Sequence, residues 1–382
     1  MIQDDTKKIV GWKPTTAVHP GEHLVDFLEE SGISQVELAQ RTGLSKKAIN
    51  EIVNGKSPIT QNTAFRLSKV FSVSPEFWIN LQNNYDLLLA QKEEQGRLHV
   101  DAEQNVAAFK ETYQELARHT FLQKLSWTKN NMPAIAKGLQ QFFAVDSLAY
   151  VGANTMQFAF RKYARNNINH RTLAAWVQLG KLQSRLITTE PFDKDALKAQ
   201  LPYLKSLSCK DWRTYIPELE EILARCGVVL VFAPHFTHTP VQGATHWLES
   251  DKVLVMLNAD NQYEGRFWFN LFHELGHVLL HGKRDVYVDF DQDGAKTEEE
   301  QEADTFAQKW LISDLKGFYA LLGQQDLERA VITFAKDNNI SPAIVAGRLT
   351  HEHGDTHKNV YALMSPFQKE RISYSNITLS AR

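Results

Sequence analysis

Cysteine is scarce in this sequence. The 382-residue chain holds two, Cys209 and Cys226, and neither stands in a C-x-x-C or comparable metal-binding spacing. A disulfide framework and a cysteine-based zinc site are thereby excluded, and both thiols are expected to be reduced and buried. Long apolar runs are also missing. The longest candidates, Val228–Ala233 and Val253–Leu257, have strand length, far short of the ~18 residues of a membrane span. The opening MIQDDTKKIV has no basic-then-apolar signal pattern. Nor is there an excess of one charge: 42 basic side chains face 45 acidic ones, for a net −3. Any nucleic-acid contact must therefore come from a local patch. With 43% hydrophobic and 23% charged residues, the composition is that of a globular chain and excludes wholesale disorder. These observations together predict a cytoplasmic protein of two or three domains with no membrane partner.

The charges are unevenly spread. Residues 1–90 carry 9 basic and 10 acidic side chains, residues 91–225 carry 19 and 14, and residues 226–382 carry 14 and 21. Within the first block, Arg41, Lys46, Lys47, Lys56, Arg66 and Lys69 face Glu51 alone, a local +5 over residues 41–69.

That basic stretch lies in a run of short helices. Ser34-Gln-Val-Glu37 is a capping box, and Gly43 is a turn position. Ser45 can cap the next helix, Lys46–Val53, while Thr60 and Ser74-Pro75 can cap two more. A DNA-reading helix-turn-helix needs a small residue where its helices cross, a turn residue about four positions on, and apolar anchors on the second helix. Ala39, Gly43 and the set Leu38, Leu44, Ile49 and Ile52 supply these. The outward side is then Ser45, Lys46, Lys47 and Asn50, types suited to base edges and phosphates, with Gln35 and Lys56 beside them. The stretch His19-Pro-Gly-Glu-His-Leu, Ser34-Gln-Val-Glu-Leu-Ala, Ile49-Asn-Glu-Ile-Val-Asn-Gly-Lys56 and Phe77-Trp-Ile-Asn-Leu-Gln82 resembles the HigA-type antitoxins of the XRE repressor family. The resemblance covers residues 19–90 and implies a five-helix domain that dimerises on palindromic double-stranded operator DNA.

Residues 91–225 read as mostly helical. One helix is expected over Asp101–His119, with apolar Val106, Phe109, Tyr113 and Leu116, and another around Leu173, Val177 and Leu179. After Gly227 the pattern changes. Val228–Ala233 and Val253–Leu257 read as strands, with a His-rich turn region, His235 to His246, between them. Residues 262–281 read as a long apolar helix, Val286–Phe290 as a short strand and Glu298–Leu311 as a further helix.

The long helix carries His273-Glu-Leu-Gly-His277. Residues four apart share a helix face, so both imidazoles can grip one ion while Glu274 stands beside them as the base. A charged motif inside so apolar a helix is costly unless it binds something. Zinc needs a third protein ligand, and Glu298, Glu299, Glu300 and Glu302 follow downstream. With the apolar side taken as Ala303, Phe306, Ala307 and Trp310, a helical wheel puts Glu299 and Glu302 on its flanks and does not separate them. Residues 226–349 resemble the ImmA/IrrE metallopeptidases, through Gly243-Ala-Thr-His-Trp247, His273–His281, Glu302-Ala-Asp-Thr-Phe-Ala307 and Ile340-Ser-Pro. That resemblance selects Glu302 as the third ligand beside His273 and His277. It implies zinc, with manganese as the alternative, and hydrolysis of a peptide with Glu274 as general base. Strand 253–258 is expected to offer an edge for substrate, and His246, Tyr263, Arg266 and His351 are candidates to stabilise the oxyanion. His281 reads as a helix-end residue in preference to a support for the site.

Two weaker patterns remain. Asp289-Phe-Asp291-Gln-Asp293-Gly294 through Glu300 fits a calcium loop, although Lys296 stands where an apolar residue belongs, and an acidic surface loop is the preferred reading. Arg161, Lys162, Arg165 and Arg171 form a basic group read as a solvated face. The expected organisation is a multidomain chain: an all-α helix-turn-helix head (1–92), a helical middle region (93–220) and an α+β zincin-like metallopeptidase domain (221–382). The resemblances imply a homodimeric transcriptional regulator that cleaves a repressor, antitoxin or other regulatory protein. The alternative is an antitoxin or repressor without proteolysis, whose C-terminal domain binds a partner or senses a signal.

Overall fold

The computed structural model describes residues 16–151, 169–237, 239, 241–260, 263–282, 286–290, 297–353, 367, 373–375 and 377. The chain forms two compact units, Met1–Val100 and Asp101–Arg382.

The first unit is helical: α1 (Pro20–Ser31), α2 (Gln35–Thr42), α3 (Lys46–Val53), α4 (Gln61–Phe71) and α5 (Pro75–Gln104), whose last turn passes into the second unit. The caps fall where the sequence puts them. Ser34 Oγ accepts from the Glu37 amide at 3.2 Å and Ser45 Oγ from the Ala48 amide at 3.1 Å. Each such cap satisfies an amide with no partner inside its helix. The core is Leu24, Leu28, Leu38, Ala39, Ile49, Ile52, Ile59, Ala64, Leu67 and Trp78.

The second unit is built on a four-stranded sheet in the order β1 (Val228–Ala233), β3 (Lys252–Asn258), β2 (Val241–Glu249), β4 (Val286–Phe290). β1 and β3 run parallel, with Val228 opposite Val253, and the other pairings are antiparallel. Both faces of the sheet are covered, which explains why β1 and β3 are continuous apolar runs instead of alternating ones. Val229, Val231, Ala233, Leu254 and Met256 pack into a core with α6 (Lys110–Arg118), α7 (Met132–Phe143) and α8 (His170–Ser184). Val228, Leu230, Phe232, Val253, Val255 and Leu257 face the opposite core. That core is shared with α9 (Lys194–Ser206), α10 (Trp212–Arg225), α11 (Glu264–Leu280), α12 (Glu298–Leu311), α13 (Leu315–Ala320), α14 (Leu327–Asp337) and α15 (Pro342–His353).

Several expectations are corrected here. The segment 93–220 is no separate middle region: α6–α8 form one layer of the second unit, and α9 and α10 lie in the other. The helix expected over 101–119 is broken. α5 ends at Gln104, a 3₁₀ turn spans Val106–Phe109, and α6 follows, which turns Val106 and Phe109 into the core. Part of the His-rich stretch is strand β2, whose Gly, Gln, Thr and His content hid its β character. β3 lies inside the sheet, and β1 and β4 are the edges among the described residues, so β3 offers no free edge. Cys226 is buried as expected, but Cys209 is exposed.

The sheet-covering layer is tied down by a buried carboxylate. Asp101, 3% exposed, accepts from Gln140 Nε2 (2.7 Å), Ser147 Oγ (2.8 Å) and the Leu148 amide (2.7 Å). Burial alone raises a carboxyl pKa, but these hydrogen bonds favour the charged form more strongly, and the net shift is downward. Asn105 Nδ2 donates to it as well, so replacing Asp101 by Ala leaves four donors without this acceptor. Urea unfolding followed by circular dichroism should show a loss of about 2–4 kcal/mol, and an unchanged midpoint would refute this role.

Candidate metal centre and nucleic-acid interface

In the first unit, α2 and α3 are joined by a tight turn with Gly43 in the left-handed region at φ 66°. Arg66, reaching from α4, donates to the carbonyls of Thr42 and Gly43 at 3.1 and 3.0 Å and so locks the turn. Ala39, Ile49 and Ile52 are buried between the helices. Lys46, Lys47 and Asn50 are exposed on α3, with Ser45 at its N-terminus and Lys56 beyond its end. Gln35, the first residue of α2, is half-buried. Five of the six residues expected to meet DNA therefore lie on or around the second helix of a helix-turn-helix and are exposed, while Gln35 begins the first.

The second unit holds a cluster with the donor set of a metal centre. His273 and His277 lie on α11, and Glu300 in the first turn of α12 meets them. The Nε2 atoms of the two histidines are 3.1 Å apart, and Glu300 Oε2 is 3.2 Å from His273 Nε2 and 3.6 Å from His277 Nε2. Ligands about 2.0–2.1 Å from a tetrahedral ion stand roughly 3.4 Å from one another, so the spacing fits zinc. The helices can approach this closely because Gly276 faces Ala303: a Cβ at position 276 would lie 3.2 Å from the Ala303 Cα.

Glu302, selected by resemblance, is not in this cluster. Its carboxylate lies on His281, 3.0 Å from Nε2. The face of α12 turned to the core carries Glu300, Ala303, Ala307 and Leu311, while Phe306 and Trp310 are half-buried at its side. Centring the wheel on Phe306 and Trp310 rotates it away from Glu300. The signal that identifies Glu300 is its phase, three and seven residues ahead of the two fully buried alanines.

The surrounding groups hold the donors in place. Asp304 Oδ1 lies 2.9 Å from His273 Nδ1, which leaves the Nε2 lone pair for the centre. Tyr287 of β4 stacks on His277 at 4.3 Å between ring centres. Glu274 is 1% exposed; Oε2 accepts from the Thr245 hydroxyl at 2.6 Å, and Oε1 has no partner among the described residues. That unpartnered oxygen lies against Gly243 of β2, where a Cβ would stand 2.2 Å from it. Thr245 and Asp304 lie inside the motifs Gly243–Trp247 and Glu302–Ala307 but were not singled out there, and Tyr287 had no signal in the sequence.

None of the oxyanion candidates enters this cluster. Thr245 faces Glu274, so alternation along β2 turns His246 to the opposite face of the sheet. There burial, with Lys181 nearby, lowers its pKa to about 4. Tyr263 and Arg266 stand two to three helical turns before His273, and His351 is exposed in the last turn of α15. The calcium-loop pattern has residues 291–296, and the basic group has Arg161, Lys162 and Arg165, outside the described residues. Arg171 is described and lies over the Phe109 ring at 5.3 Å.

The Helix-turn-helix family matches residues 25–78, and the IrrE N-terminal-like domain family matches residues 226–350. Virulence-associated protein I of Dichelobacter nodosus is 40% identical over 81 residues, 21% of this chain and 75% of that protein. Antitoxin HigA-1 of Vibrio cholerae is 37% identical over 71 residues, 18% of this chain and 67% of its own length. The chain belongs to the HigA-like helix-turn-helix family. At its C-terminal end this HigA-like chain carries an IrrE N-terminal-like domain. Among solved structures, the Pseudomonas aeruginosa antitoxin HigA with the higBA promoter is 38% identical, over 20% of this chain and 86% of that one, with a TM-score of 0.20. No described helix is long and apolar enough to cross a membrane.

The cluster sets the charge states. Burial pushes Glu274 up to about 8 against the pull of His273 and Thr245. Burial works against a charged His273, but its bonds to Asp304 and Glu300 prevail and raise it well above the ordinary histidine value. Burial likewise opposes a charged Glu300, yet its two histidine partners hold its carboxyl well below the usual range. Between pH 4.5 and about 8, folded metal-free protein keeps a proton on Glu274 that the unfolded chain has lost. The stability tied to Glu274 is therefore present below pH 4.5 and falls as pH rises towards 8. Glu274→Gln should remove this slope, so metal-free variant gains on the parent from pH 5 to pH 8. Each pH unit across that window is worth up to about 1.4 kcal/mol. Urea unfolding in chelator at the two pH values tests it, and parallel profiles would refute it.

Proposed function

We propose that the chain is a cytoplasmic DNA-binding transcriptional regulator whose second unit is a zinc-dependent endopeptidase, acting on a repressor, antitoxin or other regulatory protein. The observation that carries the peptidase reading is the convergence of His273 Nε2, His277 Nε2 and Glu300 Oε2, with the buried Glu274 next to His273 on α11. His273, His277 and Glu300 would hold the ion, zinc or alternatively manganese, which when bound would supply Lewis acidity for peptide hydrolysis. Glu274 takes the proton of the attacking water and delivers it to the leaving amine. Thr245 fixes the Glu274 carboxylate through Oε2 and leaves Oε1 for that exchange. Strand β4, which is last in the sheet among the described residues, places Tyr287 against His277.

For the head, α3 enters the major groove of double-stranded operator DNA. Lys46, Lys47 and Asn50 meet bases and phosphates, and Gln35, Ser45 and Lys56 meet the backbone. The exposed basic face of α3 and the HigA-like relatives support this, and a homodimer on a palindromic site follows from it.

A second reading has an observation in its favour. His273, Glu274 and His277 are each 1% exposed and Glu300 is 5% exposed, so a peptide has no direct access to the donors. On that reading the second unit binds a partner or senses a signal without cutting.

The first test is metal content. Purified protein should hold one zinc per chain, lost in His277→Ala and in Glu300→Ala, with the circular dichroism spectrum kept. No zinc after supplementation would refute the metal centre. The second test is Glu274→Gln, which should keep zinc and operator binding while abolishing cleavage of the regulatory protein in cells. Regulation that survives the substitution would favour the binding-only reading.

A further inference from the structure

Both histidines of the proposed metal centre have their outer nitrogen engaged, but by different means. Asp304 meets His273 directly. His277 has no carboxylate on Nδ1: that atom lies 3.0 Å from His281 Nδ1, and His281 Nε2 lies 3.0 Å from Glu302 Oε2. With His281 neutral, as it must be to leave His277 Nε2 free for an ion, one proton assignment satisfies every contact in this chain. The Glu302 carboxylate accepts from His281 Nε2–H. The bare His281 Nδ1 then accepts from His277 Nδ1–H, and His277 Nε2 is left with its lone pair facing Glu300 and His273. The opposite tautomer of His281 would place its Nδ1–H against His277 and leave the Glu302 carboxylate facing a bare nitrogen.

We infer that His281 and Glu302 form a two-residue relay that holds His277 in its metal-binding tautomer and orientation. They act as positioning residues, with Glu302 at the surface end. Three observations point the same way. The side chain of His281 is 6% exposed although it ends α11, whereas that of Glu302 is 55% exposed. The relay therefore runs from a buried donor to solvent. The Tyr287 ring stacks on His277 and lies 5.2 Å from the His281 ring, which confines both imidazoles laterally. His281 also donates its backbone amide to the His277 carbonyl at 3.2 Å, so the two residues are fixed to each other through main chain as well as side chain. The relay gives Glu302 a task at the site without making it a ligand.

This rests on the metal-centre reading, and the test separates the two. Zinc affinity is measured on the full-length protein by competition with a chromophoric chelator, alongside the visible spectrum of the cobalt-substituted form. His281→Phe keeps an aromatic ring but removes the acceptor. It should weaken zinc binding about 10–100-fold and alter the cobalt bands. His281→Gln, whose side-chain carbonyl can accept from His277 Nδ1–H, should recover part of the loss. Glu302→Gln should weaken binding less, by a few-fold, because it removes only the charge at the outer end. Zinc affinity and cobalt spectrum unchanged in both His281→Phe and Glu302→Gln would overturn the relay while leaving the metal centre standing. Equal losses in His281→Phe and His281→Gln would overturn it as well, since packing and not hydrogen bonding would then be at work. A parent protein that takes up neither ion would overturn relay and metal centre together.

Discussion

The second unit depends on the close crossing of two helices at Gly276 and Ala303. That contact brings α12 near enough for Glu300 to reach both histidines. The imidazoles and carboxylates are then buried together, an arrangement that costs several kcal/mol per uncompensated ion. Compensation comes from mutual pairing: Glu300 with both histidines, Asp304 with His273, and Thr245 with Glu274. A Cβ at position 276 would stand 3.2 Å from the Ala303 Cα, so a wider residue there requires the helices to move apart by a few tenths of an ångström.

The two units solve the problem of presenting chemistry in opposite ways. The head fixes a rigid turn from beneath, through Arg66 and the capped helix starts, and leaves Lys46, Lys47 and Asn50 exposed. The second unit brings its reactive side chains inward and surrounds them with a second set of polar groups. Exposed charge suits long-range attraction to a polyanion. Buried charge suits the tight, geometry-dependent capture of an ion.

Much of the head was legible in the sequence, because capping boxes, a turn glycine and apolar spacing are all local signals. Ser34, Gly43 and Ser45 mark their helix ends without reference to the rest of the chain. In the second unit, the pair His273 and His277 is equally local, being one helical turn apart. The third donor depends on how α12 is rotated against α11, which two bulky residues at its side, Phe306 and Trp310, obscured. β2 was hidden because, apart from Val241 and Trp247, its buried positions are small or polar. One face of that strand meets Glu274, where Gly243 and Thr245 are required, and hydrophobic pattern is silent there. The layered packing of residues 101–225 was also beyond local reading, since their helical periodicity is the same for a separate bundle as for a cover on a sheet.

The covering of the sheet has a consequence for how this chain can be divided. The IrrE-like match begins at residue 226, yet Val229, Val231, Leu254 and Met256 are shielded by helices that precede it. A fragment cut at that boundary would expose a hydrophobic sheet face to water and would be prone to associate through it. The IrrE-like domain and the helices upstream are therefore one packing unit. A HigA-like head could be exchanged near residue 100, but the helices from Asp101 to Ser184 that cover the sheet must travel with it.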